Sequence, residues 1–399
     1  MLPVELNSGI FWIGVDDRTT DLFEGLWPIS REGVSYNSYL IKDKKKAIID
    51  LTKSIKGDEF FENINKIAAV NDIDYIIINH MEPDHSGILR TFRKLCPGAM
   101  ILGSQKTKEM LQDFYGIKDN VEVVKDGDEI SLGEKTLKFF YTPMVHWPET
   151  IMTYEVSSKI LFSCDAFGSF GVLGGSIFDD ECKNIDFYID EAVRYYVNIV
   201  AKFSKMVLRA IDKLKSITVE VIAPSHGRIW RKNPGTIVEL YRKLASLAEE
   251  EAEPGITLIY GSMYGNTENM MNAVAQGISK TQTPLRIFDV SRTHVSYILP
   301  SLWTQSGVMI GTPTYEAGLF PTMGDVLRMA TLKSITNKKF AMFGSYGWSG
   351  GALREIKEIV EPAKWQLIDS FEFKGGPTEE ELKKGEEFGR KFGELIKNK

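Results

Sequence analysis

The stretch IIINHMEPDHSG, residues 76–87, decides the reading of the first part of this chain. Its isoleucines continue an apolar run from Asp74 and read as a buried strand. They lead directly into His80, Glu82, Asp84 and His85, four chemistry-bearing side chains within six residues. In an extended strand end, His80 and Glu82 are two apart and point to one side. Pro83 favours a turn that brings Asp84 and His85 round to the same cavity. Two imidazoles and two carboxylates form a hard nitrogen and oxygen ligand set for a metal. Taken alone, the segment also reads as a charged surface loop.

Its context favours the metal. His146 follows KFFYTPMV, Asp165 follows KILFSC and His226 follows TVEVIAPS, so each stands at the carboxyl end of an apolar run. Strand ends along one sheet edge are where folds of mixed strands and helices carry their sites. Four of the five histidines take such positions. The fifth, His294, lies in a polar stretch and reads as an ordinary surface residue.

Composition sets the frame. A chain of 399 residues is too long for one ordinary domain. With 43% hydrophobic and 26% charged residues it is globular. A net charge of −6 argues against a nucleic-acid partner, which needs a surplus of Lys and Arg. No apolar stretch reaches the ~18 residues of a membrane span. The start, MLPVELNSGIFWIG, lacks a basic segment followed by an apolar core, so no export is expected. Cys96, Cys164 and Cys182 show no CxxC spacing, which fits a reducing cytoplasm and excludes a four-cysteine iron or zinc module.

Strands are expected at 10–15, 35–41, 46–51, 74–80, 99–103, 121–125, 135–143, 150–156, 159–165 and 218–226. Helices are expected at 57–70, with Phe60, Ile64, Ile67 and Ala68 on one face, and around 186–214. Meanders mixed with helices suggest two sheets covered by helices. At 247–255 the acidic segment LAEEEAEPG marks a domain boundary. Beyond it strands at 256–260, 286–290, 307–311 and 339–344 alternate with helical stretches, beginning with a helix at 267–280. This is the grammar of a doubly wound parallel sheet. The last helix, 378–397, is expected to bury Leu382, Phe388, Phe392, Leu395 and Ile396.

The His-x-Glu-x-Asp-His segment, followed by a distant His, Asp and His, resembles the metallo-β-lactamase-fold ligand pattern with Glu in place of the second His. With TPMVHWP, SCDAFG, RYYVNI and APSHGRIWRK, that variant resembles the flavodiiron proteins, also called A-type flavoproteins or the rubredoxin:oxygen oxidoreductase family, over essentially the full length. The resemblance implies an α/β chain: a metallo-β-lactamase-like αββα sandwich over 1–250, then a flavodoxin-like sheet over 255–399. It implies one iron held by His80, Glu82 and His146, a second held by Asp84, His85 and His226, and Asp165 bridging the two. A carboxylate in place of an imidazole adds negative charge, which suits a site that holds ferric iron, and a set without thiolate suits Fe or Mn. The alternative is a dizinc metallo-hydrolase fused to a flavodoxin-like module. A third reading, an electron carrier with a vestigial pocket, is opposed by the intact ligand set.

After the strand at 256–260 comes GSMYGNTEN, neither GxGxxG nor a Walker loop. Ser262, Met263, Tyr264, Gly265, Asn266 and Thr267 offer hydroxyls and successive backbone N–H groups at a helix start, a nest for a phosphate. The arrangement resembles the flavodoxin phosphate loop and implies FMN, although a plain turn would also fit. Two further loops follow apolar strands, Thr312, Pro313, Thr314 and Tyr315 in one, and Ser345, Tyr346, Gly347, Trp348, Ser349 and Gly350 in the other. Ligands of such sheets sit outside the carboxyl ends of the strands. Tyr315, Tyr346 and above all Trp348 offer flat faces to a flavin ring.

A flavin beside a metal pair makes a reductase of a small oxidant. The resemblance implies reduction of O2 to water or of NO to N2O, with electrons entering at FMN from a separate donor, rubredoxin or a reduced deazaflavin. Domains of this size have centres about 30 Å or more apart. A head-to-tail homodimer, or a dimer of dimers, would bring one chain's FMN to the other's irons. Of the tyrosines in RYYVNI, Tyr195 rather than Tyr196 is read as a proton donor near the metals. Glu24 stands where many family members carry a histidine, which bears on the choice between O2 and NO.

Overall fold

The computed structural model describes residues 1–398. The chain divides into two compact units, Met1–Ala245 and the remainder from Ser246. Lys399, the last residue of the second expected domain, lies outside the described residues.

In the first unit a seven-stranded and a five-stranded sheet face each other. Their inner faces share one core, in which Trp12, Tyr39, Ile49 and Ile77 of one sheet meet Phe139, Ile151, Phe162 and Ala223 of the other. The functional edge follows from strand direction. Lys46–Ile49, Tyr75–Ile77 and Met100–Gly103 run parallel, with Ile49, Ile77 and Leu102 in register. In the facing sheet Ile160–Cys164 and Val221–Pro224 are parallel, and Thr136–Tyr141 runs the same way across the antiparallel strand Ile151–Glu155. The carboxyl ends of these strands carry the site residues.

Several elements are shorter than the sequence suggests. The runs at 10–15 and 35–41 each switch partners. Ile10–Trp12 pairs with Tyr39–Lys42, whereas Val15–Asp17 pairs with Val34–Tyr36 in a separate ribbon. The break falls where Gly14 passes so close to the Tyr36 carbonyl that no side chain would fit. The first helix is Gly57–Asn65, so Ile67 and Ala68 lie in the turn beyond it, half-buried. The helix expected around 186–214 is two, Ile185–Tyr195 and Ser204–Leu214. Between them the Asn198 side chain donates to Arg194 O at 2.7 Å, a local competitor that accompanies a wide turn over Tyr196–Val200.

The second unit is a five-stranded sheet in the order Leu285–Asp289, Glu253–Tyr260, Gln305–Gly311, Lys339–Tyr346 and Gln366–Lys374, every pair parallel. The first strand begins inside the stretch read as a linker, and the last was not anticipated. The final helix, Glu379–Lys397, starts at Thr378, whose hydroxyl accepts from Glu381 N in a capping box. Phe388, Phe392 and Ile396 are buried, but Leu395 is 37% exposed, against expectation. The contact face is narrower than assumed because glycines carry it. A methyl group at Gly277 would strike Glu386 O, and one at Gly389 would strike Val274 O, so this helix and Asn266–Ser279 pack backbone to backbone.

Candidate metal centre

Each expected ligand is set by the backbone that follows a strand. Beyond Tyr75–Ile77, the amides of Asn79 and His80 donate to Asp50 Oδ1 at 2.8 and 3.4 Å. Pro83 opens the short helix Pro83–Ser86, as its missing N–H allows, and this turn presents Asp84 and His85. Asn37 Nδ2 donates to Pro224 O and Gly227 O, which fixes the loop that carries His226.

The side chains form two groups. His80, Glu82, His146 and Asp165 are one, and Asp84, His85 and His226 the other, each with ligand atoms within 4.8 Å of one another. Asp165 faces both. Its Oδ2 lies 3.1 Å from His146 Nε2 and 3.5 Å from His80 Nε2, and its Oδ1 lies 3.0 Å from His85 Nε2 and 3.4 Å from His226 Nε2. All seven expected side chains are therefore brought together.

Hydrogen bonds behind the rings orient two of them. His226 Nδ1 lies 2.7 Å from Ser35 O, and a carbonyl can only accept, so this nitrogen carries a proton and Nε2 is the one turned to the site. His80 Nδ1 donates to Glu149 Oε1 at 2.6 Å. Asp165 Oδ1, both oxygens of Asp84, and the Nε2 atoms of His85, His146 and His226 are buried without a hydrogen-bond partner. Unpartnered buried groups call for an explanation, and aimed at a shared centre they are what a bound cation would satisfy.

Charge balance points the same way. Burial alone would lower the pKa of His80, but bonds to Glu149 and Glu82 raise it to about 10. His146 rises to about 10 through Asp165 and Glu82, against its burial. His85, likewise opposed by burial, rises to about 9 beside Asp84 and Asp165. Burial raises the Asp165 carboxyl, yet the imidazoles around it hold it well below the usual range. Without a cation, protons occupy the site that metal would take, so loading releases them.

A cavity of about 300 Å³ opens onto Glu82 and Asp84, lined also by Phe23, Glu24, Tyr36 and Lys53. Glu24 belongs to neither ligand group, and its Oε2 accepts from Trp27 Nε1 at 2.9 Å. The Tyr195 ring lies 5.6 Å from His226, whereas Tyr196 turns away and bonds Ser204 Oγ at 2.7 Å. His294 caps the helix Val295–Thr304, its ring accepting from Ser296 N. Glu149, Asp50 and Ser35 were missed in the sequence.

In the second unit the three expected loops converge. Met263, Tyr264, Tyr315, Tyr346 and Trp348 line one cavity of about 350 Å³, joined by Glu316, Ala317 and Gly375, which were not anticipated. Gly265, with φ of +90°, begins the helix Asn266–Ser279, and its N–H bonds Ser262 Oγ at 3.1 Å. Tyr264 and Trp348 are 90% and 89% exposed.

A paired nitrogen and oxygen metal site at a sandwich edge, in one chain with a flavodoxin-type sheet, defines a flavin-linked metalloprotein. Residues 34–227 match the ODP family beta lactamase and 258–389 match flavodoxin. An anaerobic nitric oxide reductase flavorubredoxin of Escherichia coli is 35% identical over 397 residues, covering 98% of this chain and 82% of that one. Rubredoxin oxygen:oxidoreductase from Desulfovibrio gigas superposes with a TM-score of 0.93 at 26% identity, covering 99% of both chains. The flavodiiron protein from Giardia intestinalis gives 0.93 at 27%, covering 100% of this chain and 97% of that one. The chain belongs to the flavodiiron protein family and is one of its oxidoreductases. Among the described residues, no helix is long and apolar enough to cross a membrane.

Proposed function

We propose that the chain reduces O2 to water, NO to N2O, or both, at a pair of irons supplied with electrons through FMN. The observation that carries this reading is the pair of ligand groups turned to one carboxylate, Asp165, with both oxygens of Asp84 and the Nε2 atoms of His85, His146 and His226 buried and otherwise unpartnered. The donor set fits iron, because it is all nitrogen and oxygen and Glu82 adds negative charge where a neutral imidazole would otherwise stand. His80, Glu82 and His146 would hold one iron and Asp84, His85 and His226 the other, with Asp165 between them. Bound there, the metals would take up the diatomic and reduce it, and FMN would pass electrons on singly.

The chain's own groups do the rest. Glu82 and Asp84 border the cavity by which a small oxidant arrives, beside the apolar ring of Phe23. The Tyr195 hydroxyl is fully buried, and its pKa is held well above the usual range by burial and then by Asp165, so it keeps its proton for donation. The backbone amides and hydroxyls of Ser262–Thr267 would hold the flavin phosphate, and Trp348 would cover the ring.

We infer rubredoxin or a reduced deazaflavin as the electron donor from the family resemblance; the cysteines of these 399 residues form no CxxC pair that could hold a rubredoxin iron. A head-to-tail homodimer is supported by the aromatic faces of Tyr264 and Trp348 that one chain leaves in water. The three free thiols favour the cytoplasm. Metal and flavin analysis of purified protein, followed by mixing the reduced form with O2 or NO, tests the reading. About one FMN and two irons per chain with rapid consumption are expected, and zinc without flavin would overturn it.

A further inference from the structure

The two ligand groups are matched in their inner donors, each with two imidazoles, one carboxylate and a share of Asp165. They differ in what stands behind the imidazoles. His226 Nδ1 donates to a neutral carbonyl, Ser35 O, and His85 Nδ1 has no hydrogen-bond partner. His80 Nδ1 donates at 2.6 Å to a carboxylate, Glu149, which is 1% exposed. Asp50, Lys53 and Glu24 reach both halves. Asp50 bonds the His80 amide and acts electrostatically on both His85 and His80. Lys53 and Glu24 line the cavity that opens onto Glu82 of one group and Asp84 of the other. Among the described residues, Glu149 is the one carboxylate hydrogen-bonded to the Nδ1 of a ligand imidazole, and it serves one half alone.

We propose that Glu149, acting through His80, makes the iron held by His80, Glu82 and His146 the first of the pair to be oxidised. The inference rests on the diiron reading above. A short bond from imidazole to carboxylate draws the ring proton outward and makes Nε2 a stronger donor to the metal. The site is buried, so the added negative charge is weakly screened and favours the more highly charged ion. Only Oε1 of Glu149 is engaged, by His80 and by Met81 N at 2.9 Å, while Oε2 is buried without a partner. The charge is thus directed at His80. In the step concerned, one electron leaves the diferrous pair for an added one-electron oxidant such as ferricyanide, which is reduced to ferrocyanide, and no bond in the protein is made or broken. Glu149 touches neither metal nor substrate and is a positioning residue.

Glu149→Gln keeps an oxygen for His80 Nδ1 and Met81 N but removes the charge, whereas Glu149→Asp keeps the charge and draws it back. Iron-loaded full-length protein and both variants would be compared by iron content, by mediated redox titration of the mixed-valent electron paramagnetic resonance signal, and by iron-57 Mössbauer spectra. We expect Glu149→Gln to retain two irons and to need a higher potential for the first oxidation. At fixed potential the ratio of mixed-valent to diferrous protein should fall about tenfold, the size of one charge-assisted hydrogen bond. The ferric Mössbauer doublet should shift while the ferrous one stays, and Glu149→Asp should fall between wild type and Glu149→Gln. An unchanged midpoint with two irons bound would overturn the proposal. Iron loss in both variants would also overturn it, leaving Glu149 a loading residue. If only Glu149→Gln loses iron, the Glu149→Asp midpoint decides, an upward shift supporting the proposal and no shift overturning it. Wild-type protein that fails to hold two irons would instead defeat the diiron reading itself.

Discussion

The phenol ring of Tyr195 lies tilted 5.6 Å from the imidazole of His226, and its hydroxyl is buried without a hydrogen-bond partner. A buried hydroxyl left unpaired costs about 1–3 kcal/mol, and here it faces the carboxylates of the metal groups. Tyr195→Phe should therefore leave the fold as stable or slightly more so. Iron and FMN contents should hold, while turnover of O2 or NO falls by roughly a hundredfold, the scale of a lost proton donor. Turnover at the wild-type rate would show that the proton arrives by another path.

Asp165 turns one oxygen to each ligand group. Asp165→Asn removes the charge that offsets repulsion between two cations, so at least one iron should be lost. FMN should still bind and accept electrons from a chemical reductant, and the remaining oxidation by O2 should be slow and yield peroxide. Metal analysis with peroxide assay checks this. Two bound metals and full rates would contradict a shared ligand.

Trp348 is 89% exposed on the flavin cavity, so truncating it removes no packing from the fold. Trp348→Ala should weaken FMN binding by roughly tenfold, the scale of a lost aromatic stack, with iron content unchanged. Fluorescence titration of flavin-stripped protein reads the affinity. Loss of iron in this variant would mean that the two sites are not independent.

Lys338 is 4% exposed, its ammonium group donating to Gln305 O at 2.7 Å and Trp303 O at 3.0 Å, and burial holds its pKa down to about 7. Between about 7 and the ordinary 10.5 the unfolded chain binds a proton that the folded chain does not. Stability should therefore rise with pH across that window, by at most about 1.4 kcal/mol per pH unit from this group, and level off below it. Lys338→Met leaves two carbonyls short of a donor, so its stability at any one pH has no simple sign. Its pH slope does. Urea unfolding at several values between pH 7 and 9.5 should show a shallower rise in the variant, and parallel profiles would refute the assignment.

The proposed metal ligands were legible because His80, His146, Asp165 and His226 each end an apolar run and Glu82, Asp84 and His85 follow within five residues of one, a pattern that survives without coordinates. Glu149 was not, because in TPMVHWPET it is one more polar residue of a turn, and only folding brings it under His80. Leu395 reads as buried in a stripe of large residues, whereas the helix approaches its neighbour through Gly385, Gly389 and Gly393. The strand Gln366–Lys374 escaped notice because it is an edge strand whose side chains are mostly exposed or half-buried, so no apolar run announces it.

The backbone contact between Asn266–Ser279 and Glu379–Lys397 has a thermodynamic consequence for the cofactor. The helix whose first turn would grip the flavin phosphate is clamped along its length before any ligand arrives. Gripping that phosphate thus surrenders little conformational entropy, and most of the ordering on cofactor capture falls to the two exposed rings, Tyr264 and Trp348. Capture should then proceed from the phosphate end, with the isoalloxazine end settling last and leaving first.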